Sequence, residues 1–230
     1  MSRRSMECRF ADRLLRWRSS DRRELSRRAL FWWRGTQDPY SIFVAEVLLA
    51  RTRADRVARV SLDLVRRWPS FCDLANANEA ELIEILRPLG FQRVRANALK
   101  RAAREVCERW EGELPLDEEV IASLPRSGRY VANAVLAYVR CEPRVAVDVN
   151  VARVLSRGFD VPVGKELHRD ERIWALAGRL GRCVEGCRIR DLNWALLDVG
   201  REFCKPKRPK CAACPLSGVC RYSSRARGVD

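Results

Sequence analysis

Apolar positions recur along this chain with the spacing of one face of an α-helix, and runs that alternate apolar and polar residues are missing. Glycine and proline fall mainly between the periodic segments, where they end helices. No internal repeat, heptad pattern or low-complexity tract is present. We therefore predict an all-α fold. The predicted helices span about 8–17, 22–32, 40–52, 55–67, 71–74, 79–87, 92–110, 117–123, 128–139, 147–158, 170–180 and 191–201.

The predicted helix at 40–52 carries one carboxylate, Glu46, inside an otherwise apolar run from Ile42 to Ala50. One interpretation places Glu46 on a narrow solvent-facing edge of a buried helix. The other turns it into a pocket, where desolvation would raise its pKa and make it a candidate acid or base. The segment alone leaves both interpretations open.

Residues 117–139 predict a helix, a tight turn and a second helix. Pro125 ends the first helix, and Gly128 allows another backbone to come close. The N–H groups that open the second helix then form a ready phosphate site. Nineteen residues beyond Arg129, Asp148 precedes a further helix. Its carboxylate can cap that helix, and this role is compatible with a catalytic one.

The ten cysteines fall into two groups. Six are scattered: Cys8, Cys72, Cys107, Cys141, Cys183 and Cys187. Because the N-terminal residues lack the apolar segment of a signal peptide, we expect no disulfide scaffold, and most of these six to be small buried apolar residues. Cys183 and Cys187 could face each other on a helix, and we expect a structural role for them.

The other four cysteines are closely spaced, as C-x6-C-x2-C-x5-C, at Cys204, Cys211, Cys214 and Cys220. Three prolines within this segment exclude a continuous helix, so the chain must form a loop around something. Structural zinc sites usually use two C-x2-4-C pairs, and here only one pair is present. The spacing favours a [4Fe–4S] cluster, with zinc as the alternative. Lys205 and Lys207 belong to a basic stretch that could bind phosphates.

Charge narrows the class of partner. The 230 residues carry a formal net charge of +15, of which residues 1–34 contribute +7 and residues 204–230 contribute +6. This excess favours a polyanion, with nucleic acid the leading candidate. The longest uncharged apolar stretch, Tyr130–Val139, is too short to span a bilayer. We expect a cytoplasmic, nucleoid-associated protein without a membrane partner.

Three motifs in order resemble one family. They are Leu-Pro-Arg-Ser-Gly-Arg-Tyr-Val-Ala-Asn-Ala-Val-Leu at 124–136, Val-Asp-Val-Asn-Val-Ala-Arg-Val at 147–154, and the cysteine loop at 204–220. The chain is similar over about residues 22–222 to the helix–hairpin–helix DNA glycosylases with an iron–sulfur cluster, of the endonuclease III and MutY type. The resemblance implies a six-helix module at 32–142, inserted into a cluster domain made of 1–31 and 143–230. The active site would lie in the cleft between them.

Within that family the second residue after the hairpin glycine separates the activities. Bifunctional members carry a lysine that forms a Schiff base, adenine glycosylases usually carry serine, and the thymine/uracil mismatch glycosylases carry tyrosine, as here at Tyr130. The resemblance implies a monofunctional enzyme that acts on thymine or uracil opposite guanine without AP-lyase activity, as a monomer on duplex DNA. Two alternatives stay open: an adenine glycosylase, and a non-catalytic iron–sulfur DNA-binding protein.

The same resemblance assigns roles to residues. Asp148 would stabilise the developing sugar cation and position water, Glu46 would be the second carboxylate, and Tyr130 would line the base pocket. Arg51 would fill the space left by a flipped base, and Phe91 would wedge the opposite strand unless it packs in the core. Further expected DNA contacts are Gln92, Arg93, Arg126, Ser127, Gly128, Arg129, Lys205 and Lys207. One departure from the family is Arg126, where the hairpin usually has glycine, which puts the turn geometry in question.

Overall fold

The computed structural model describes residues 5–50, 52–164 and 166–226, and within these ranges it contains helices and no β-strand. This confirms the all-α prediction. The described residues form thirteen α-helices: α1 (Met6–Ser20), α2 (Glu24–Leu30), α3 (Pro39–Leu49), α4 (Ala54–Arg67), α5 (Phe71–Ala75), α6 (Glu79–Leu86), α7 (Gln92–Trp110), α8 (Glu118–Ser123), α9 (Gly128–Val139), α10 (Val149–Phe159), α11 (Glu171–Gly181), α12 (Arg188–Glu202) and α13 (Arg221–Ala226).

Twelve of these helices correspond to predicted segments, and α13 does not. That helix has six residues and follows directly on Cys220, so it is too short to show an apolar period. Short 3-10 segments lie at Trp32–Gly35, Arg87–Leu89, Leu167–Arg169 and Cys211–Ala213. None of the described helices combines the length and the apolar character needed to cross a bilayer.

The chain divides into two compact units. The inner unit is Arg23–Val139, and the outer unit combines Met1–Arg22 with Arg140–Asp230. The sequence placed these boundaries at 31/32 and 142/143, so the structure assigns α2 to the inner unit. Between Pro39 and Val139 the described residues form seven α-helices rather than the six expected.

The inner unit is built on α3 and α9, which pack against each other. Asp38 caps α3 by accepting a 2.9 Å hydrogen bond from the Ser41 N–H, and Pro39 takes the first helical position, where its missing N–H costs nothing. Nearly every residue of α3 from Tyr40 to Leu48 is buried. A helix that is apolar all round belongs in a core, so α3 is held firmly on all sides.

The outer unit brings both ends of the chain together. Helix α1 packs on α11 and α12, and α10 packs on α12 and α13. Arg18 of α1 is buried and donates a 2.8 Å hydrogen bond to Asp191 while lying 5.0 Å from the ring of Trp194. A second carboxylate, Asp198, lies 3.5 Å away. This buried cation therefore anchors the N-terminal helix to the C-terminal segment.

The six scattered cysteines form three disulfides: Cys8–Cys183, Cys72–Cys107 and Cys141–Cys187. The expectation of small buried apolar residues was wrong, since none of the six is buried. Cys183 and Cys187 do not pair with each other. Both lie in the connection between α11 and α12, and each bonds to a cysteine of a different segment. Sequence spacing cannot show such pairing between positions 175 residues apart.

Candidate active site and cysteine loop

Glu46 and Tyr130 meet inside the inner unit. The Tyr130 hydroxyl, on α9, donates a 2.7 Å hydrogen bond to Glu46 Oε2, on α3. Glu46 is 1% exposed, which excludes the solvent-facing interpretation of this carboxylate. Tyr130 is partly exposed, so the pair joins a buried carboxylate to a phenol that can reach a ligand.

Asp148 lies in the outer unit and caps α10. Its Oδ1 accepts hydrogen bonds of 2.8 Å from the Asn150 N–H and 2.7 Å from the Val151 N–H. Its Oδ2 accepts a 2.8 Å hydrogen bond from the Asn150 side-chain amide. Because both oxygens are fixed and the side chain stays partly exposed, Asp148 presents an oriented carboxylate at a helix N-terminus.

A chain of hydrogen bonds runs from Asp148 to the cysteine loop. The carbonyl oxygen of the Asn150 side chain accepts a 2.9 Å hydrogen bond from Arg153 Nη2. Arg153 also donates to the Cys204 carbonyl at 2.6 Å and to the Gly200 carbonyl at 2.9 Å. One guanidinium thus connects the side chain that orients Asp148 with the end of α12 and the first cysteine of the loop.

The four remaining cysteines, Cys204, Cys211, Cys214 and Cys220, are free thiols and line one pocket in the outer unit. Val154, Val199, Phe203 and Leu216 supply apolar walls of the same pocket. The described His, Cys, Asp and Glu side chains form no group of three or more arranged around a single metal ion. Four soft thiols that line the same apolar-walled pocket are the type of donor that suits an iron–sulfur cluster.

Arg157 closes one side of this pocket. It donates hydrogen bonds to the Lys205 carbonyl at 2.7 Å and the Pro206 carbonyl at 3.0 Å, and lies 3.5 Å from Cys204 Sγ. Its guanidinium stacks 4.9 Å from the ring of Tyr222. The loop backbone is therefore fixed by a cation that also faces a cysteine sulfur.

Burial also changes the pKa values of two of these thiols. It raises the pKa of the Cys214 thiol to about 11, and it also raises the pKa of Cys220 above its ordinary value. A coordinated metal deprotonates thiols outright and would offset this cost of burial. The site therefore fits a group that supplies positive charge to four sulfurs.

The hairpin keeps its turn in spite of the family departure. Arg126 adopts a left-handed backbone with φ 59°, and Gly128, which opens α9, has φ 75°. The Ser127 N–H donates a 3.0 Å hydrogen bond to the Leu124 carbonyl, which closes the turn. The left-handed backbone of Arg126 is unfavourable for a residue with a side chain. Because Arg126 is exposed, its guanidinium also places a positive charge at the predicted phosphate site.

Phe91 is 79% exposed, which excludes core packing for it. It caps the N-terminus of α7 with a left-handed φ of 50°, directly after Gly90 with φ 72°. Arg93 is exposed and Gln92 is partly exposed beside it. Arg51 lies outside the described residues. In the other unit the loop cations Lys205 and Lys207 are exposed.

Sequence reasoning missed the residues that hold this machinery in place. Asn150 and Arg153 appear in the second motif only as family positions, Arg157 lies outside the motifs, and Arg95 gave no signal at all. A regular spacing of cations on α10, four residues apart at Arg153 and Arg157, was the signal available for two of them.

Comparison with known proteins agrees with this geometry. Residues 44–175 match the family model of the HhH-GPD superfamily base excision DNA repair protein. The chain is 36% identical to a thymine-DNA glycosylase of Aeropyrum pernix over 83% of this chain and 85% of that protein. It is 35% identical to a thymine/uracil-DNA glycosylase of Pyrobaculum aerophilum over 96% and 94%. The solved structure of a thermostable thymine-DNA glycosylase superposes with a TM-score of 0.84 at 30% identity, over 96% and 97% of the two chains. These matches confirm the resemblance found in the motifs, and the chain belongs to the HhH-GPD superfamily of base excision DNA repair proteins.

Proposed function

We propose that this protein is a monofunctional DNA glycosylase that hydrolyses the N-glycosidic bond of thymine or uracil opposite guanine in duplex DNA. The observation that carries the proposal is the 2.7 Å hydrogen bond from Tyr130 to Glu46. It places a phenol against a buried carboxylate, at the position where the lyase members of the family carry an amine. The relatives that are named thymine/uracil-DNA glycosylases support the same substrate.

Asp148 acts on the sugar in this proposal. As the bond from C1′ to the base nitrogen lengthens, positive charge develops on the sugar ring, and a fixed carboxylate stabilises it. The three hydrogen bonds that Asp148 accepts orient it before the substrate arrives, so it needs no reorganisation during the reaction. The base leaves with the electron pair of the broken bond, water adds to C1′, and the proton that the water loses passes through a carboxylate to the base. A free base and an abasic site remain.

Glu46 acts as the second carboxylate, which orients the attacking water or protonates the leaving base. Tyr130 holds Glu46 and contacts the base. A phenol cannot form a Schiff base with C1′ of the sugar, so the phosphodiester backbone stays intact. The products are therefore a free base and an abasic site, without β-elimination.

The target base must leave the duplex to reach these groups, because the glycosidic bond is inaccessible inside the stack. Phe91 enters the helix as a wedge in this proposal, and Arg51 occupies the vacated space. Arg126 and Arg129 bind phosphates at the hairpin, with the N–H groups that open α9. One monomer acts on one lesion, and its chromosomal substrate implies a cytoplasmic, nucleoid-associated enzyme.

We also propose that Cys204, Cys211, Cys214 and Cys220 hold a [4Fe–4S] cluster. When bound, the cluster pins the loop that carries Lys205 and Lys207, so that these cations face phosphates. Equal amounts of iron and acid-labile sulfide, with a broad visible absorbance band, would support this assignment. Stoichiometric zinc without such a band would contradict it.

The activity is tested on duplexes that carry uracil, thymine, 5-hydroxymethyluracil or adenine opposite guanine, and adenine opposite 8-oxoguanine. We expect strand breaks at U·G and T·G only after alkali. Asp148→Asn should bind the same duplexes and cut them at least about 100-fold more slowly. Borohydride-trapped covalent complexes or breaks without alkali would contradict a monofunctional enzyme, and cleavage confined to adenine would show an adenine glycosylase. Tight binding with no cleavage of any duplex would show a non-catalytic DNA-binding protein.

A further inference from the structure

One arginine of the inner unit is almost completely buried. Arg95 lies on α7 and is 4% exposed. Its Nε donates a 3.0 Å hydrogen bond to the Gly90 carbonyl, and its Nη1 donates a 3.2 Å hydrogen bond to the Leu48 carbonyl. Its Nη2 donates at 2.6 Å to the Thr52 hydroxyl and at 3.4 Å to the Ala50 carbonyl.

These acceptors belong to two segments that are far apart in sequence. Leu48, Ala50 and Thr52 form the end of α3 and the residues just beyond it, and Ala50 and Thr52 stand on either side of position 51. Gly90 directly precedes Phe91. One guanidinium therefore holds the backbone of both segments that carry the expected duplex-invading side chains.

The acceptors are all neutral. Among the described residues no carboxylate contacts Arg95, and burial together with the nearby charge of Arg126 lowers its pKa. An uncompensated buried cation costs stability, and a purely structural position would more cheaply hold an apolar residue. The planar fork of arginine can bridge several carbonyls at fixed separations, whereas a lysine ammonium cannot span them.

The backbone of the Phe91 segment also needs this support. Gly90 and Phe91 both have left-handed φ values, of 72° and 50°, and Phe91 is exposed. A left-handed phenylalanine is unfavourable unless its surroundings hold it. The Gly90 carbonyl bonded to Arg95 Nε supplies such a restraint directly before the strained residue.

We propose that Arg95 is a positioning residue for base flipping: it fixes the backbone that precedes Phe91 against the end of α3, so that Phe91 enters the duplex from a rigid support. This rests on the proposed function, since it assumes that Phe91 invades DNA. Extruding a paired base costs stacking and pairing energy. An intruding side chain that is held in place before binding loses less conformational freedom when it enters the duplex. A displacement of a reacting group by about 1 Å can reduce the rate of the reaction about 100-fold.

The experiment compares Arg95→Met with the wild type in single-turnover cleavage of the same uracil in two contexts, paired with guanine in a duplex and in a single strand. Arg95→Met keeps the length of the side chain and removes its donors. We expect cleavage of the paired substrate to fall about 10- to 100-fold and cleavage of the single strand to change less than about threefold. Arg109→Met on the same helix is the matched control and should leave both rates unchanged, because its exposed guanidinium contacts only Glu105 and the Trp110 ring in the described structure.

A structural role alone predicts a different outcome, since partial unfolding lowers both rates by the same factor. Equal losses on both substrates, or no loss on either, would overturn the proposal. If Arg95→Met does not fold by circular dichroism, Arg95→Lys provides the same comparison, and the paired substrate should again lose more. If the wild type cuts neither substrate, the proposed function fails. In that case, or if the wild type cuts only the duplex, the role of Arg95 is decided by fluorescence of 2-aminopurine in a mismatched duplex, where an unchanged flipping signal in the variant contradicts it.

Discussion

The Tyr130 hydroxyl and the buried Glu46 carboxylate are joined by a 2.7 Å hydrogen bond across α9 and α3. The pair ties the hairpin helix to the most buried helix of the inner unit. The turn that we propose binds phosphate is thus connected to a candidate acid–base group through the Tyr130 side chain. Tyr130 stands at the position that, by the resemblance, separates the activities of the family, and its hydroxyl also holds the Glu46 carboxylate.

Tyr130→Phe removes this hydrogen bond and keeps the ring. A hydrogen bond to a charged group contributes about 1.5–3 kcal/mol, so we expect the rate of base release to fall about 10- to 100-fold. Single-turnover kinetics with uracil opposite guanine measure it. Tyr40→Phe is the matched control, because it deletes a buried hydroxyl of α3 that bonds only to the Trp68 carbonyl in the described structure. A rate for Tyr130→Phe within twofold of the wild type would show that the phenol does not orient Glu46.

The connection from Asp148 through Asn150 and Arg153 to Cys204 makes a second prediction. Arg153→Gln loses hydrogen bonds to both the Cys204 and Gly200 carbonyls, so the cysteine loop and the Asp148 cap should loosen together. We expect less iron per chain and at least about tenfold slower base release, since catalytic geometry tolerates little displacement. Arg157→Gln is the comparison, because it contacts the loop and not Asn150. If iron-replete Arg153→Gln cleaved at the wild-type rate, the connection would have no effect on Asp148.

The disulfides predict redox-dependent stability. After removal of any cluster, alkylation and mass spectrometry should find four reactive thiols without reductant and ten with it. Cys72→Ser opens a bridge between positions 35 residues apart, and the loss should cost about 2–4 kcal/mol in the free energy of unfolding. Thermal unfolding measures this cost. Under reductant the variant and the wild type should have nearly the same melting temperature, and a persistent gap would mean that the serine acts through packing instead.

The sequence predicts those features that depend on residues close together along the chain. Asp148 is predictable as a cap because aspartate before an apolar helix binds its first N–H groups, and the burial of α3 follows from its unbroken apolar run. Arg95 is not predictable, because all but one of its partners are backbone carbonyls, which every residue has. The pairing of Cys8 with Cys183 depends on how distant segments meet, which spacing does not record.

Arg126 has two opposing effects, since its backbone conformation lowers stability and its charge favours DNA binding. Two variants together separate them. Its left-handed φ of 59° disfavours any residue with a side chain, so Arg126→Gly should raise the free energy of unfolding by up to about 1 kcal/mol. The same change removes an exposed cation from the hairpin and should weaken binding to duplex DNA several-fold. Denaturant unfolding and fluorescence anisotropy measure the two effects. Arg126→Ala keeps the strain and loses the charge, so it should weaken binding without the gain in stability, and equal stability of both variants would contradict the strain.

The cysteine loop predicts how affinity depends on salt. Lys205, Lys207 and Lys210 are exposed, and each cation that neutralises a phosphate contributes about 0.9 to the slope of log affinity against log salt concentration. Changing all three to glutamine should therefore reduce the magnitude of that slope by up to about 3 and weaken binding most at low salt. The matched control neutralises Arg66, Arg67 and Arg109, which are exposed on α4 and α7, and should leave the slope nearly unchanged. Equal slopes for the wild type and the lysine variant would mean that the positive charge of the loop does not contact DNA. Loss of slope in the lysine variant alone would place the loop on the phosphates, because counterion release counts only the cations that lie against the backbone.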